Sequence, residues 1–141
     1  MEAMKGHIQE ALVKAVAPSA LLWRNDSPVR EFEGLPRYVE TAFGTVPDIV
    51  EVPEGGVNFR VPLATGQKTG WYYDQTSNRA LFARQAGGAR VLDVFSYAGG
   101  FALQAMRAGA TAATCIDSSA ASLASAAATA PYYHPYYPPP A

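Results

Sequence analysis

Met4, Ile8, Leu12 and Val16 recur every fourth residue, one apolar stripe that predicts a helix over residues 2–16, stopped by Pro18. Residues 20–23 form a short apolar run, read as a strand. In the turn Arg24-Asn25-Asp26-Ser27-Pro28, Asp26 or Ser27 is placed to cap a short helix that has proline at its start. Gly34-Leu35-Pro36 closes that piece, and residues 38–43 alternate poorly but predict a further strand. Residues 47–63 read as a hairpin: two β-rich runs, 49–52 and 57–61, are separated by Pro53-Glu54-Gly55-Gly56. Gly66 and Gly70 mark a loop, Asp74 is placed to cap a helix running to about Arg84, and Gly87-Gly88 ends it.

The pattern is clearest from Arg90 onward. Residues 90–94 are apolar apart from the acid Asp93, the pattern of a central parallel strand covered on both faces. Gly99 and Gly100 break the run, and Phe101, Leu103 and Met106 then follow at helical spacing up to Gly109. A strand, glycine turn and helix is the first unit of a nucleotide-binding α/β sheet, whose ligand lies beyond the strand's carboxyl end. A second strand over 112–116 ends in Asp117, where an acid can accept from a ribose hydroxyl. After it, residues 118–130 are almost wholly Ser and Ala, with only Leu123 to anchor a helix. The chain then runs into a Tyr-Pro segment, 131–140, that favours extended polyproline geometry.

Two ligand classes fit this unit. A dinucleotide needs the G-x-G-x-x-G spacing that seats its pyrophosphate on the helix N-terminus, and here position 97 is Tyr and position 102 is Ala. An acid at position 93 suits instead a ligand with positive charge, such as the ammonium and sulfonium of S-adenosylmethionine (SAM). The competing reading is a plain strand, turn and helix with two solvent-capped acids.

Composition narrows the picture. The 141 residues suffice for one domain, or a small one and part of another; only 16% are charged and the net charge is −1, so no basic surface announces nucleic acid. One cysteine, Cys115, rules out a disulfide framework and fits a reducing, cytoplasmic compartment; no apolar run approaches membrane-spanning length. Trp71, Tyr72 and Tyr73 serve either as packing residues or as a surface on which a base or adenine stacks, and Lys68 is a solvated loop lysine or a phosphate contact. His7 and His134 stand at no metal-ligand spacing, so no metal site is expected.

GQKTGWYYDQTSNR, the spacing to VLDVFSYAGGFAL, and then CIDSSAASL resemble the RlmI-like family of class I SAM-dependent methyltransferases acting on large-subunit (23S) ribosomal RNA. RNDSPVREFEGLP and the hairpin are similar to that family's middle segment. The resemblance covers residues 8–123. It implies an α/β fold: an incomplete Rossmann-like methyltransferase sheet (66–124), preceded by a small α+β segment with a β-hairpin (1–65) and followed by a low-complexity tail (125–141). It implies SAM as cofactor, held by Asp93, Phe95, Ser96, Tyr97 and Gly99 in the loop and by Asp117 at the ribose, with Tyr73, Asp74, Gln75 and Arg79 closing over it. Ribosomal RNA is the implied partner, and the family allows a homodimer of the intact protein.

Three family features are missing from these residues: an RNA-binding PUA domain, the Asp-Pro-Pro strand, and the later catalytic cysteine of the cytosine-methylating members. Cytosine-5 chemistry needs a thiolate to add to the ring's C6. Cys115 lies inside a predicted strand and reads as a small buried hydrophobe. The expectation is therefore a portion of a SAM-dependent rRNA methyltransferase that carries the cofactor motifs and no catalytic residue. A non-catalytic SAM- or RNA-binding module is the alternative, and an NAD-dependent oxidoreductase piece is disfavoured by Tyr97 and Asp93.

Overall fold

The computed structural model describes residues 2–66 and 70–130, so the Lys68 reading and the Tyr-Pro segment lie outside the described residues. The chain divides between Pro47 and Asp48 into two compact units. In the first, a 3-10 turn, Glu2–Met4, leads into helix α1, Lys5–Val16, which ends on left-handed Ala17 just before Pro18. Strand β1, Leu21–Asn25, pairs antiparallel with β2, Tyr38–Phe43, across the short helix α2, Val29–Phe32. Neither Asp26 nor Ser27 caps α2 with its side chain; Asp26 is held instead by Arg24, at 2.7 Å. The α1 stripe is not buried either, since Leu12 and Val16 are exposed. Polar contacts knit this unit: Glu2 accepts from Arg30 and from Tyr38, and the Lys5 ammonium sits over the Tyr38 ring.

The second unit opens with the hairpin of β3, Ile49–Glu54, and β4, Val57–Pro62. Its turn is two residues, not four. Gly55 and Gly56 both take positive φ (60° and 77°), the twist that a tight antiparallel turn demands, so Glu54 still pairs with Val57. The strand period then puts Glu54 on the same face as buried Val52. Phe59, Val57 and Val61 from β4 form the core with Trp71, Ala98 and Leu103. The hairpin, grouped from sequence with residues 1–65, thus belongs to the second unit.

A 3-10 turn, Tyr73–Gln75, precedes helix α3, Thr76–Gln85; strand β5, Arg90–Val94, helix α4, Gly100–Arg107, and strand β6, Ala112–Ile116, follow. Asp74 does not cap α3, and its carboxylate accepts from Gln75 Nε2 instead. β5 and β6 are parallel, joined through α4 as a strand–helix–strand unit. Val91 is buried in a small cluster with Ala86, Ala105 and Ala110, whereas Leu92, Val94 and Ile116 on the opposite face are 62%, 48% and 50% exposed. Among the described residues β5 is therefore covered on one face, not both.

Helix α5, Ala120–Thr129, takes in residues 125–129, which the sequence reading gave to the tail. The Ser119 hydroxyl caps its start by accepting from Ser122 N. Leu123 is not its only anchor. Small side chains let α5 come close, and Ala126 packs so near that a Cβ on Gly99 would lie 3.1 Å from its methyl. Fully buried Thr129 accepts from the β4 backbone at Arg60 N, 3.1 Å away. Thr129→Val keeps the shape and strands that N–H, so thermal or urea unfolding should show a loss of about 1–3 kcal/mol; no loss would detach α5 from β4.

Candidate functional site

Beyond the carboxyl ends of β5 and β6 lies a cleft of about 530 Å³. One wall is the loop after β5, with Phe95, Ser96 and Tyr97. The loop occupies the glycine positions of a nucleotide-binding turn without their freedom: Phe95 and Tyr97 both take left-handed φ, 61° and 50°. Hydrogen bonds hold it there. Ser96 N donates to Ile116 O (3.1 Å), Gly99 N to Ser96 O (2.8 Å), and Tyr97 N to the Asp117 carboxylate (2.8 Å). Asp117 accepts Ser119 N with its other oxygen (2.8 Å), and three backbone donors, Ser119 first, then Tyr97 and Ser118, hold its pKa below the usual carboxylate range. Its four lone-pair sites exceed these three donors, and Asp117 lines the cleft.

Segment 71–79 forms the facing wall through Trp71, Tyr72, Asp74, Gln75 and Arg79. Tyr97 bridges the walls: its hydroxyl donates to Gly70 O (2.9 Å), and its ring meets Tyr72 edge-on at 5.5 Å. Gly100 makes the closeness tolerable, since a Cβ there would lie 2.9 Å from Arg79 Cδ and 3.3 Å from the Trp71 ring.

What holds this wall is a residue the sequence reading passed over. The Glu54 carboxylate accepts from Arg79 Nε (2.6 Å) and Nη2 (2.8 Å), Trp71 Nε1 (2.9 Å), Thr76 Oγ1 (2.8 Å) and Gln104 Nε2 (2.7 Å). Arg79 also donates to Tyr72 O (2.8 Å) and lies over the Trp71 ring, 4.6 Å from its centroid. Both partners are buried, with side chains 4% and 8% exposed. Burial alone would raise the Glu54 pKa; the hydrogen bonds from Arg79, Trp71, Thr76 and Gln104 outweigh it and bring the value down to about 2. The sequence signal was parity: Glu54 stands two residues beyond buried Val52 in one strand, and a four-residue turn hid it.

Of the residues expected around a cofactor, the structure brings Asp74, Gln75, Arg79, Phe95, Ser96, Tyr97 and Asp117 to one cleft. Tyr73, Asp93 and Gly99 do not line it. Tyr73 is 68% exposed. Asp93 turns its carboxylate to Ala102 N (3.1 Å), an otherwise orphaned donor in the first turn of α4, while Gly99 starts that helix without a side-chain cap. Burial, reinforced by Asp117, raises the Asp93 pKa. Gly99 serves the packing of α5. Cys115 lies in β6, its thiol pKa raised by burial and then by Asp93. The buried Ser96 hydroxyl lies against Cys115 and acts in the opposite direction, lowering the thiol pKa. Among the described residues no three His, Cys, Asp or Glu gather as a metal site, and no helix is long and apolar enough to cross a membrane.

A parallel strand pair, a tight loop onto a helix, and an acid ending the second strand define an incomplete Rossmann-like methyltransferase sheet. The M. jannaschii tRNA m1G37 methyltransferase shares this fold, with TM-score 0.69 over 92% of this chain and 36% of that one at 17% identity. Residues 29–129 match the family described as S-adenosylmethionine-dependent methyltransferase, and the chain belongs to that family, whose cofactor is SAM. The ribosomal RNA large subunit methyltransferase I of Pseudoalteromonas atlantica is 42% identical over 68% of this chain and 24% of its own length. That of Shewanella frigidimarina is 37% identical over 86% and 31%. A solved structure in complex with SAH is 31% identical, with TM-score 0.58 over 64% of this chain and 24% of that one. The chain thus spans between about a quarter and a third of the curated relatives it matches.

The lowered Glu54 pKa fixes a pH dependence. A carboxylate with its folded pKa below the unfolded 4.5 contributes stability that is fully present above pH 4.5 and lost as pH falls through about 2, here at most about 3 kcal/mol before solvent screening is counted. Melts from pH 6 to 2 should show this loss in wild type, and Glu54→Gln should remove most of it while lowering stability by roughly 3–5 kcal/mol at pH 7. Parallel wild-type and Glu54→Gln curves would refute the assignment.

Proposed function

We propose that the cleft holds SAM, and that the protein of which these residues form the matched portion methylates large-subunit ribosomal RNA, at cytosine C5. The observation that carries the cofactor reading is the meeting of Asp117 and the Ser96 loop at one cleft, beyond the carboxyl ends of the parallel strands β5 and β6. The names of the curated relatives support the RNA substrate, and a cytoplasmic location goes with it.

In this reading Asp117 accepts from the ribose hydroxyls, using the lone-pair capacity that its backbone donors Tyr97, Ser118 and Ser119 leave over. Phe95, Ser96 and Tyr97 wall the cofactor on one side, and Asp74, Gln75 and Arg79 on the other, with Arg79 fixed in place by Glu54. Asp93 and Gly99 act one step back, by seating α4 and α5. When bound, SAM supplies an electrophilic methyl group on its sulfonium. For C5 to become a nucleophile a thiolate must first add to C6, and Cys115 does not supply it: it sits within β6, and burial holds the thiol protonated. These residues therefore bind cofactor and leave methyl transfer to groups outside them.

Calorimetric titration with SAH tests this. One site per chain is expected, with Asp117→Asn weakening it at least tenfold, and methyl transfer to 23S rRNA staying at background. Absence of SAH binding, or an Asp117→Asn chain that binds as well as wild type, would overturn the site.

A further inference from the structure

A net charge near zero hides a separation of charge in the second unit, which carries as many basic as acidic residues. Asp93 and Asp117 stand toward the carboxyl ends of β5 and β6, and Asp74 lines the cleft there. Three arginines gather at the opposite, amino end. Arg84 is in the last turn of α3, Arg107 closes α4, and Arg90 opens β5. Backbone bonds knit these turns into one rim: Gly88 N donates to Gly109 O (2.8 Å) and Thr111 N to Ala89 O (2.8 Å).

All three arginines are exposed, and among the described residues they make no ion pair, whereas Arg24, Arg30, Arg37 and Arg79 each hold a carboxylate. A cation at a helix C-terminus complements the macrodipole, which accounts for Arg84 and Arg107. Arg90 begins a strand and has no such return. The turns around them expose Gln85, Gly87, Gly88, Ala108, Gly109 and Thr111, with no large apolar side chain. A Cβ at Gly88 or Gly109 would meet nothing within 4 Å, so the backbone leaves the rim open. Unpaired arginine forks on a polar, uncrowded surface match a phosphate chain better than a protein interface, whose centre is apolar.

We propose that Arg84, Arg90 and Arg107 form a contact surface for the phosphate backbone of the RNA substrate, at the end of the sheet away from the cleft. Such contacts fix the position of the nucleic acid without reading its sequence. The five residues of β5 span roughly 16 Å, a distance that a structured RNA bridges while one of its bases reaches the cleft. The choice of RNA rests on the proposed substrate, and the contact itself does not depend on the SAM reading.

Fluorescence anisotropy of a labelled RNA stem-loop with the 141-residue chain, between about 50 and 200 mM KCl, tests it. Each of Arg84→Gln, Arg90→Gln and Arg107→Gln should reduce the slope of log affinity against log salt by about 0.7–0.9, and the triple variant should bind at least tenfold more weakly at the low-salt end. Lys14→Gln, which removes an equal charge from the first unit, should leave both unchanged. Circular dichroism of the triple variant separates a lost contact from a lost fold; if that variant unfolds, Arg90→Gln alone decides, because Arg90 complements no helix end. No RNA binding by wild type, an unchanged slope in the folded variants, an equal effect of Lys14→Gln, or arginine-dependent binding of polyglutamate in place of RNA would overturn the proposal. RNA binding that depends on these arginines in a chain that fails to bind SAH would leave it standing and overturn the cofactor reading alone.

Discussion

Four side chains from three parts of the chain converge on the carboxylate of Glu54, at the tip of a β-hairpin. Arg79 and Thr76 come from α3, Trp71 from the loop before it, and Gln104 from α4. A buried charge is costly unless its partners satisfy it, and here five donor atoms do. That condition makes the group cooperative. Removing any one donor leaves a buried carboxylate short of a bond, so the hairpin, segment 71–79 and α4 are placed together or not at all. One wall of the cleft is therefore built from beneath, by a residue that does not line it.

The other wall follows a different logic. The loop after β5 carries Phe95 and Tyr97 at left-handed positions, each strained relative to glycine. Asp117 holds the loop to β6 through Tyr97 N, and the Tyr97 hydroxyl ties it to the facing wall at Gly70. Small residues then set the spacing: Gly99 admits Ala126, and Gly100 admits Arg79 and Trp71. Charge satisfaction fixes one side, strain held by backbone hydrogen bonds fixes the other, and the cleft is what lies between.

Much of this was legible in the sequence. The strand, turn and helix around VLDVFSYAGGFAL and the strand ending at Asp117 follow from period and glycine placement, and they carry the methyltransferase fold. Side-chain destinations were less legible, because they depend on tertiary neighbours. Asp93 stands where a cofactor contact is expected from the sequence, and its carboxylate accepts from Ala102 N in the first turn of α4. Glu54 reads as a turn residue until Gly55 and Gly56 are seen to make the whole turn. The Ser/Ala run looks too weakly apolar for a packed helix, and packs because its small side chains and Thr129 fit β4 and Gly99. The α1 stripe shows the converse, a periodicity that the unit leaves exposed.

The central claim is that Glu54, outside the cleft, sets the cleft's ability to hold a cofactor. SAH affinity of the Glu54→Gln chain, measured at a temperature where circular dichroism shows it folded, tests this directly. The account predicts at least a tenfold loss relative to wild type, because Arg79 and Trp71 lose their common anchor. Unchanged affinity would contradict it and confine Glu54 to the stability of the hairpin.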